Sequence, residues 1–317
     1  MRLLISTASA MLFCPLIAAC SAPPVSSAVQ DFTGRWNFTG TGEHADRVYW
    51  LEISSSDGQL SGMFLYRTGS PLALETVKVE DGQLMFQMQE GRGGPAYQQR
   101  LRREGDRLVG TFIDRGTEVS VIGVRPPEWP ALDANASHTF GEPVTLFDGT
   151  SLDAFALQHE NRPSGWSLEA GSMTNTPRAN NLISKARFKD FRLQAEYKVQ
   201  AGSNSGMYLR GRYELQVLDD YGKPPEKTGH MAIYGWTPPL VNASKPAGEW
   251  QTADIVLVGN RLTATLNGQK VHDNQAIQAI TGGALDANET SDGPIMIQGD
   301  HNQVWYRRVI VTPIVRR

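Results

Sequence analysis

Three short stretches constrain this chain more than any other feature: Asp57-Gly58-Gln59-Leu60, Asp81-Gly82-Gln83-Leu84 and Gly105-Asp106-Arg107-Leu108. Each sets Asp and Gly side by side between runs of alternating apolar and polar residues. A two-residue type I′ hairpin turn needs positive φ at both central positions, and Asp-Gly tolerates that geometry. Recurring at nearly constant spacing, such turns call for successive antiparallel hairpins. The runs between them predict strands at 47–53, 60–67, 84–89, 98–103, 108–114 and 118–124. Residues 31–125 therefore read as an antiparallel β-meander, barrel-like in outline. Long helical patterns are scarce, and Gly (31) and Pro (18) are plentiful. The whole chain reads as all-β.

Arg125-Pro126-Pro127-Glu128-Trp129-Pro130 ends the pattern. Proline fixes φ and removes a donor, so 126–143 reads as a semi-rigid linker. A second domain follows over 144–314, with strands expected at 165–168, 191–199, 206–211, 213–218, 250–258, 261–266, 269–273, 293–298 and 304–312. Gly259-Asn260 and Asn267-Gly268 mark tight turns. Hairpins mixed with longer loops fit a two-sheet jelly-roll sandwich. With 317 residues, 40% of them hydrophobic, the chain can bury two cores. A formal net charge of −3 gives no basic field for nucleic acid.

The first residues read as a targeting segment. Met1-Arg2 is a short positive start and Leu3 to Ala19 is mostly apolar. Ile17-Ala18-Ala19-Cys20 resembles the lipobox of bacterial lipoproteins, which implies a signal peptide over 1–19 and a lipid on Cys20. Residues 20–30, rich in Ser, Pro and Ala, form the expected tether. Cys14 lies in the removed segment, so no disulfide is expected. Ser21 after the cysteine resembles lipoproteins sorted to the outer membrane. A periplasm-facing, lipid-anchored protein of the bacterial cell envelope is the resulting expectation.

The stretch Ser203 to Asp220 carries the chemistry. Met207, Leu209, Tyr213, Leu215 and Val217 occupy odd positions; Tyr208, Arg210, Arg212, Glu214 and Gln216 occupy even ones. Neighbours in a strand point to opposite faces, so the odd set packs between sheets and the even set lines the outer face. Planar and charged hydrogen-bonding groups beside a tyrosine suit a sugar, with its hydroxyls and apolar ring face. A solvated outer face explains the same pattern.

A resemblance tips the balance. Phe147-Asp148-Gly149-Thr150-Ser151-Leu152, Trp166 with Glu169-Ala170-Gly171, Lys189-Asp190-Phe191-Arg192-Leu193, Ser203-Asn204-Ser205-Gly206, Tyr213 to Asp219, Ala232-Ile233-Tyr234-Gly235, Gly248-Glu249-Trp250-Gln251 and Gln298-Gly299-Asp300-His301 follow in order. This series resembles the 3-keto-disaccharide hydrolase domain family over about 144–314. The resemblance implies a concanavalin-like jelly roll and cleavage of glycosides whose ring carries a C3 ketone. It also implies a functional link to a sugar 3-dehydrogenase that makes the ketone. A ketone acidifies the adjacent C2–H, so elimination followed by hydration competes with ordinary glycoside hydrolysis. Elimination needs a base, a proton donor for the leaving oxygen and donors to the enolate oxygen.

Glu214 is the first candidate for acid or base, His301 the second, and Arg210 the electrostatic stabiliser. Asp300 is placed to fix the His301 tautomer. Asn204, Tyr208, Gln216, Tyr234, Trp250 and Gln298 are the expected substrate contacts, with His230 a weaker one. Structural ion pairing is the bland alternative for Glu214, and core burial for Trp250. No cofactor is identified; there is no His-x-His, paired cysteine or EF-hand loop, and a divalent metal is left open. The meander reads as an accessory or spacer domain, or one that binds glycans or partners through Trp50, Tyr66 or Tyr97. The rival to an enzyme is a non-catalytic carbohydrate-binding lipoprotein; a third reading is an outer-membrane scaffold.

Overall fold

The computed structural model describes residues 32–89, 94–129 and 138–316. The expected signal peptide, Cys20, the expected tether and linker residues 130–137 lie outside the described residues. The first sheet contains β1 (Gly34–Gly40), β2 (Val48–Ser56), β3 (Gln59–Leu65), β4 (Leu72–Ala73), β5 (Val77–Glu80), β6 (Gln83–Gln89), β7 (Ala96–Glu104), β8 (Arg107–Asp114) and β9 (Thr117–Val124). Asp57 and Gly58 have φ of 51° and 76°, and Asp81 and Gly82 of 49° and 71°, as type I′ turns require. Ser56 pairs with Gln59 and Glu80 with Gln83 across them.

The strand order is β4-β3-β2-β1-β9-β8-β7-β6-β5. Every paired neighbour is also a chain neighbour except at the β1–β9 seam, and the consecutive strands β4 and β5 do not pair. The unpaired edges are β4 and β5, so the barrel-like sheet opens there. Alternation sends Trp36, Phe38, Tyr49, Leu51, Phe64, Phe86 and Phe112 to a common interior. The Phe38, Tyr49 and Phe64 rings pack around Phe112 at 5.0–5.3 Å between centroids, tilted or edge-on as aromatic quadrupoles prefer.

The second half begins with β10 (His138–Phe140), β11 (Val144–Phe147), β12 (Phe155–Leu157), β13 (Trp166–Glu169), β14 (Ser172–Asn175), β15 (Leu182–Phe188) and β16 (Phe191–Val199). It continues with β17 (Asn204–Leu209), β18 (Tyr213–Leu218), β19 (Gln251–Val258), β20 (Arg261–Leu266), β21 (Gln269–Ala276), β22 (Gly293–Ile297) and β23 (Val304–Arg316). A back sheet runs β13-β14-β23-β16-β19-β20-β21, with β10 and β11 also on β23; a front sheet runs β12-β15-β22-β17-β18. They face each other across Leu193, Ala195, Met207, Leu215, Ile255, Ile295, Val309 and similar side chains. This is the concanavalin-like jelly roll. Part of the stretch read as linker, β10, pairs with the end of β23.

The two halves share a core. Val48, Trp50 and Leu65 turn away from the barrel interior and join the sandwich cluster. Trp50 is fully buried, edge-on to Trp236 at 4.8 Å, and the Trp236 indole N–H donates to the Ile280 carbonyl at 3.0 Å. The Asn37 amide donates to Glu289 Oε1 at 2.8 Å, and the Tyr213 hydroxyl donates to Oε2 at 2.9 Å. A spacer needs no such shared packing, and Trp50 has no surface to offer a glycan.

Candidate active site

The site lies on the outer face of the front sheet. In β17 and β18, Met207, Leu209, Tyr213, Leu215 and Val217 enter the sandwich core. Tyr208 faces Glu214 across the pair, and Gly206 faces Gln216. These side chains therefore share the opposite face. Tyr208 also faces Met296 on β22, and alternation brings Gln298 alongside Gly206, whose carbonyl accepts the Gln298 backbone N–H at 2.9 Å.

The expected row stops short of its two arginines. Arg210 and Gly211 have φ of 54° and 68°, so the chain turns between the strands instead of extending. Arg210 leaves the face and pairs with Asp190 at 3.1 Å, also donating to the Lys189 and Gly259 carbonyls. It is not a partner of Glu214. Arg212 binds Asp286 through two nitrogens. Both guanidiniums are buried structural clamps.

The face is covered, not open. Tyr208, Glu214 and Gln216 are each less than 5% exposed. The segment after β21 folds over them: the Glu214 N–H donates to Thr281 Oγ1 at 2.8 Å, and the Tyr208 hydroxyl lies 2.9 Å from both Glu214 Oε2 and the Gly282 carbonyl. The loop after β18 closes the free edge, with the Tyr234 N–H donating to the Glu214 carbonyl at 3.0 Å. Gly206 makes room for the carboxyl: a Cβ there would stand 2.5 Å from Glu214 Oε1. The side-chain oxygens of Gln216 and Gln298, on either side of Gly206, are buried without a hydrogen-bond partner in the protein. A buried acceptor left unpaired is costly, so these two atoms are ready for donors such as sugar hydroxyls.

Burial pushes the Glu214 carboxyl up to about 8. The Tyr208 hydrogen bond and the His301 charge oppose the rise, and Asp300 adds to it. At neutral pH this carboxyl holds its proton. His301 and Asp300 are half-exposed, with His301 Nδ1 and Asp300 Oδ1 2.7 Å apart. That hydrogen bond is the main reason the imidazole rises above its ordinary value; Glu214 pushes the same way. His301 and Glu214 are thus close enough to shift each other's proton affinity. Nδ1 donating to Asp300 leaves Nε2 free to accept a proton.

The loop bearing His301 is held by residues the sequence did not single out. Asn181 Oδ1 accepts the N–H groups of Gly299 and Asp300, and the Asn175 amide donates to the Gly299 and Asn302 carbonyls. Three asparagines in the Asn175 to Asn181 stretch, the third being Asn180, were the available signal. Among the other expected contacts, Asn204 is half-buried on the site face, and Tyr234 lies near enough to act electrostatically on Tyr208. Trp250 belongs elsewhere. It stacks with Lys198 and Arg307, 5.2 and 4.4 Å from its ring, on the outer face of the back sheet. His230 is buried between Tyr197, 2.7 Å from Nε2, and Leu218, so it is a satisfied loop histidine. Among the described residues no three His, Cys, Asp or Glu side chains form a metal-binding cluster.

Residues 142–312, just over half of the chain, match the family model of the 3-keto-alpha-glucoside-1,2-lyase-like domain. The chain belongs to this family. A 3-keto-disaccharide hydrolase of Bacteroides thetaiotaomicron is 26% identical over a 164-residue alignment that covers 40% of this chain and 57% of that protein. The chain thus spans little more than half the length of this curated relative. A crystal structure of a candidate glycosyl hydrolase from Parabacteroides distasonis is 25% identical, covering 57% of this chain and 92% of that one, with a TM-score of 0.47. A second from the same organism is 23% identical, covering 55% and 100%, with a TM-score of 0.43.

Proposed function

We propose that this chain cleaves the glycosidic bond of 3-keto-glucosides, 3-keto-disaccharides among them, by elimination followed by hydration. The observation that carries the reading is a protonated, buried Glu214 beside two unpartnered glutamine oxygens, with a half-exposed His301–Asp300 pair within electrostatic reach. The family membership and the activity named for the Bacteroides relative support the substrate class.

His301 Nε2 takes the C2 proton, which the neighbouring ketone acidifies. The C2–H electrons form the C1=C2 bond as the C1–O bond breaks, and Glu214 gives its proton to the departing oxygen. Water then adds at C1 of the enone while C2 regains a proton, so the net change is hydrolysis. Gln216 and Gln298 accept from ring hydroxyls, Asn204 donates to the C3 carbonyl oxygen, which gains negative charge as the C2 proton leaves, and Tyr208 holds the Glu214 carboxyl. Arg210, clamped on Asp190, has no part.

Because the C3 ketone must be made beforehand, a sugar 3-dehydrogenase is the expected supplier. The lipobox-like Cys20 supports work at the periplasmic face of a membrane. The test is to offer the protein a 3-keto-glucoside and, separately, its unoxidised parent. Aglycon release from the ketone alone is expected; binding of both without release would replace the enzyme with a carbohydrate-binding protein.

A further inference from the structure

The barrel reaches the active site through a strap. Residues 67–71, between β3 and β4, lie against the 281–283 segment and the turn at Gly235. The Gly283 N–H donates to the Arg67 carbonyl at 2.5 Å. A Cβ on Gly282 would meet the Gly69 carbonyl oxygen at 2.5 Å and its nitrogen at 2.7 Å. A Cβ on Gly235 would meet Pro71 at 2.8 Å. The two backbones touch directly, so the strap fixes where the Gly282 carbonyl sits.

That carbonyl is the second acceptor of the Tyr208 hydroxyl. Tyr208 has one proton and two acceptors at 2.9 Å, Glu214 Oε2 and Gly282 O. When Glu214 is ionised, the hydroxyl proton points at the carboxylate. When Glu214 is protonated, its own O–H donates to Tyr208 and the tyrosine proton turns to Gly282. The Gly282 carbonyl therefore stabilises the protonated form. We infer that residues 67–71 of the barrel are a positioning element for the Glu214 carboxyl, acting through the Gly282 carbonyl and the Tyr208 hydroxyl. The barrel is then a working part of the site, and its strap selects which proton arrangement the site rests in. Other titratable groups bear on the same carboxyl: His301 and Asp300 from the loop after β22, and Tyr234, through Tyr208, from the loop after β18.

The effect on turnover rests on the reading of Glu214 as proton donor; the titration of the carboxyl does not. The experiment follows the Glu214 carboxyl carbon by NMR across pH in the full chain, with the signal assigned by its loss in Glu214→Gln. Two variants are compared with the wild type. Gly282→Ala pushes the contact apart from the sandwich side. Gly69→Val acts from the barrel side alone: Gly69 is exposed at φ 86° with open space around a Cβ, so valine strains the strap without entering a core. Both are expected to lower the titration midpoint by about one pH unit, since Tyr208 then donates only to the carboxylate. Curves from correctly folded Gly69→Val that overlay the wild type overturn the inference, whatever Gly282→Ala does. A lowered midpoint with unchanged turnover upholds the strap and removes Glu214 from catalysis.

Discussion

Two buried carboxylates, one in each half of this molecule, have opposite environments. Asp114 in the barrel is 3% exposed, and Glu214 in the sandwich 4%. Asp114 accepts the Tyr49 hydroxyl at 2.8 Å and lies 3.3 and 2.7 Å from the Arg47 and Arg67 guanidiniums. Two guanidiniums face it, and its role is structural. Glu214 also shares a hydrogen bond with a tyrosine hydroxyl, but among the described residues no cation pairs with it; the arginines nearest in sequence bind Asp190 and Asp286. Burial without a counter-charge leaves the proton in place. What separates the structural carboxylate from the one proposed to react is the company each keeps, since both are equally hidden.

Four substitutions break or sharpen that contrast. Glu214→Gln is expected to lower kcat by about 10²–10⁴-fold, the range for loss of a general acid, with the fold retained. The same variant has a pH-dependent effect on stability. Between 4.5, the ordinary value, and about 8, folded Glu214 holds a proton that the unfolded chain releases. The wild type therefore loses stability as pH rises through that window. Melting curves at pH 5 and pH 9 should show the glutamine variant gaining on the wild type at the higher pH.

Gly206→Ala tests the cradle. The new Cβ displaces Glu214 Oε1 while leaving every titratable group present, and a misplacement near 1 Å costs about 100-fold in kcat. Asp114→Asn should act on stability. Arg47 and Arg67 keep partial exposure, so the loss is about 2–3 kcal/mol, below the ~3–5 kcal/mol of a sealed pair; denaturant titration measures it. Turnover per folded molecule should fall far less than in Glu214→Gln. Trp250→Ala, on the far sheet, should change kcat/KM by less than about threefold, under 1 kcal/mol of transition-state energy. A large loss there would place substrate on the wrong sheet.

The faces of β17 and β18 were legible because alternation is enforced by burial: Met207, Leu215 and Val217 have to reach the sandwich core, which turns Tyr208, Glu214 and Gln216 outward. Arg210 and Arg212 were not, since the alternation was carried through Gly211, where the chain adopts positive φ and changes direction. An Arg-Gly-Arg turn looks like strand until the register is known. Trp250 shows a different limit. A tryptophan at a strand start suits stacking on a sugar or on Lys198 and Arg307, and only the topology says which sheet it is on. The covering of the site was also hidden, because Thr281 and Gly282 are far from Glu214 in sequence and carry no pattern of their own. In the barrel, the Asp-Gly turns fixed most strands by local chemistry. Its docking on the sandwich depends on Val48, Trp50 and Leu65, whose outward direction is readable only once the partner surface exists.

The pH dependence of cleavage joins both halves of the account. Activity should rise as His301 loses its proton, above the ordinary imidazole value of 6.5, and fall near pH 8 as Glu214 loses its own. The most direct test replaces the C2 hydrogen of a 3-keto-glucoside with deuterium and follows a single turnover. A several-fold slower release of the aglycon is the predicted result, because the C2–H bond breaks as the leaving group departs. Identical rates for the two isotopologues would contradict proton removal at C2 and, with it, the role given to this site.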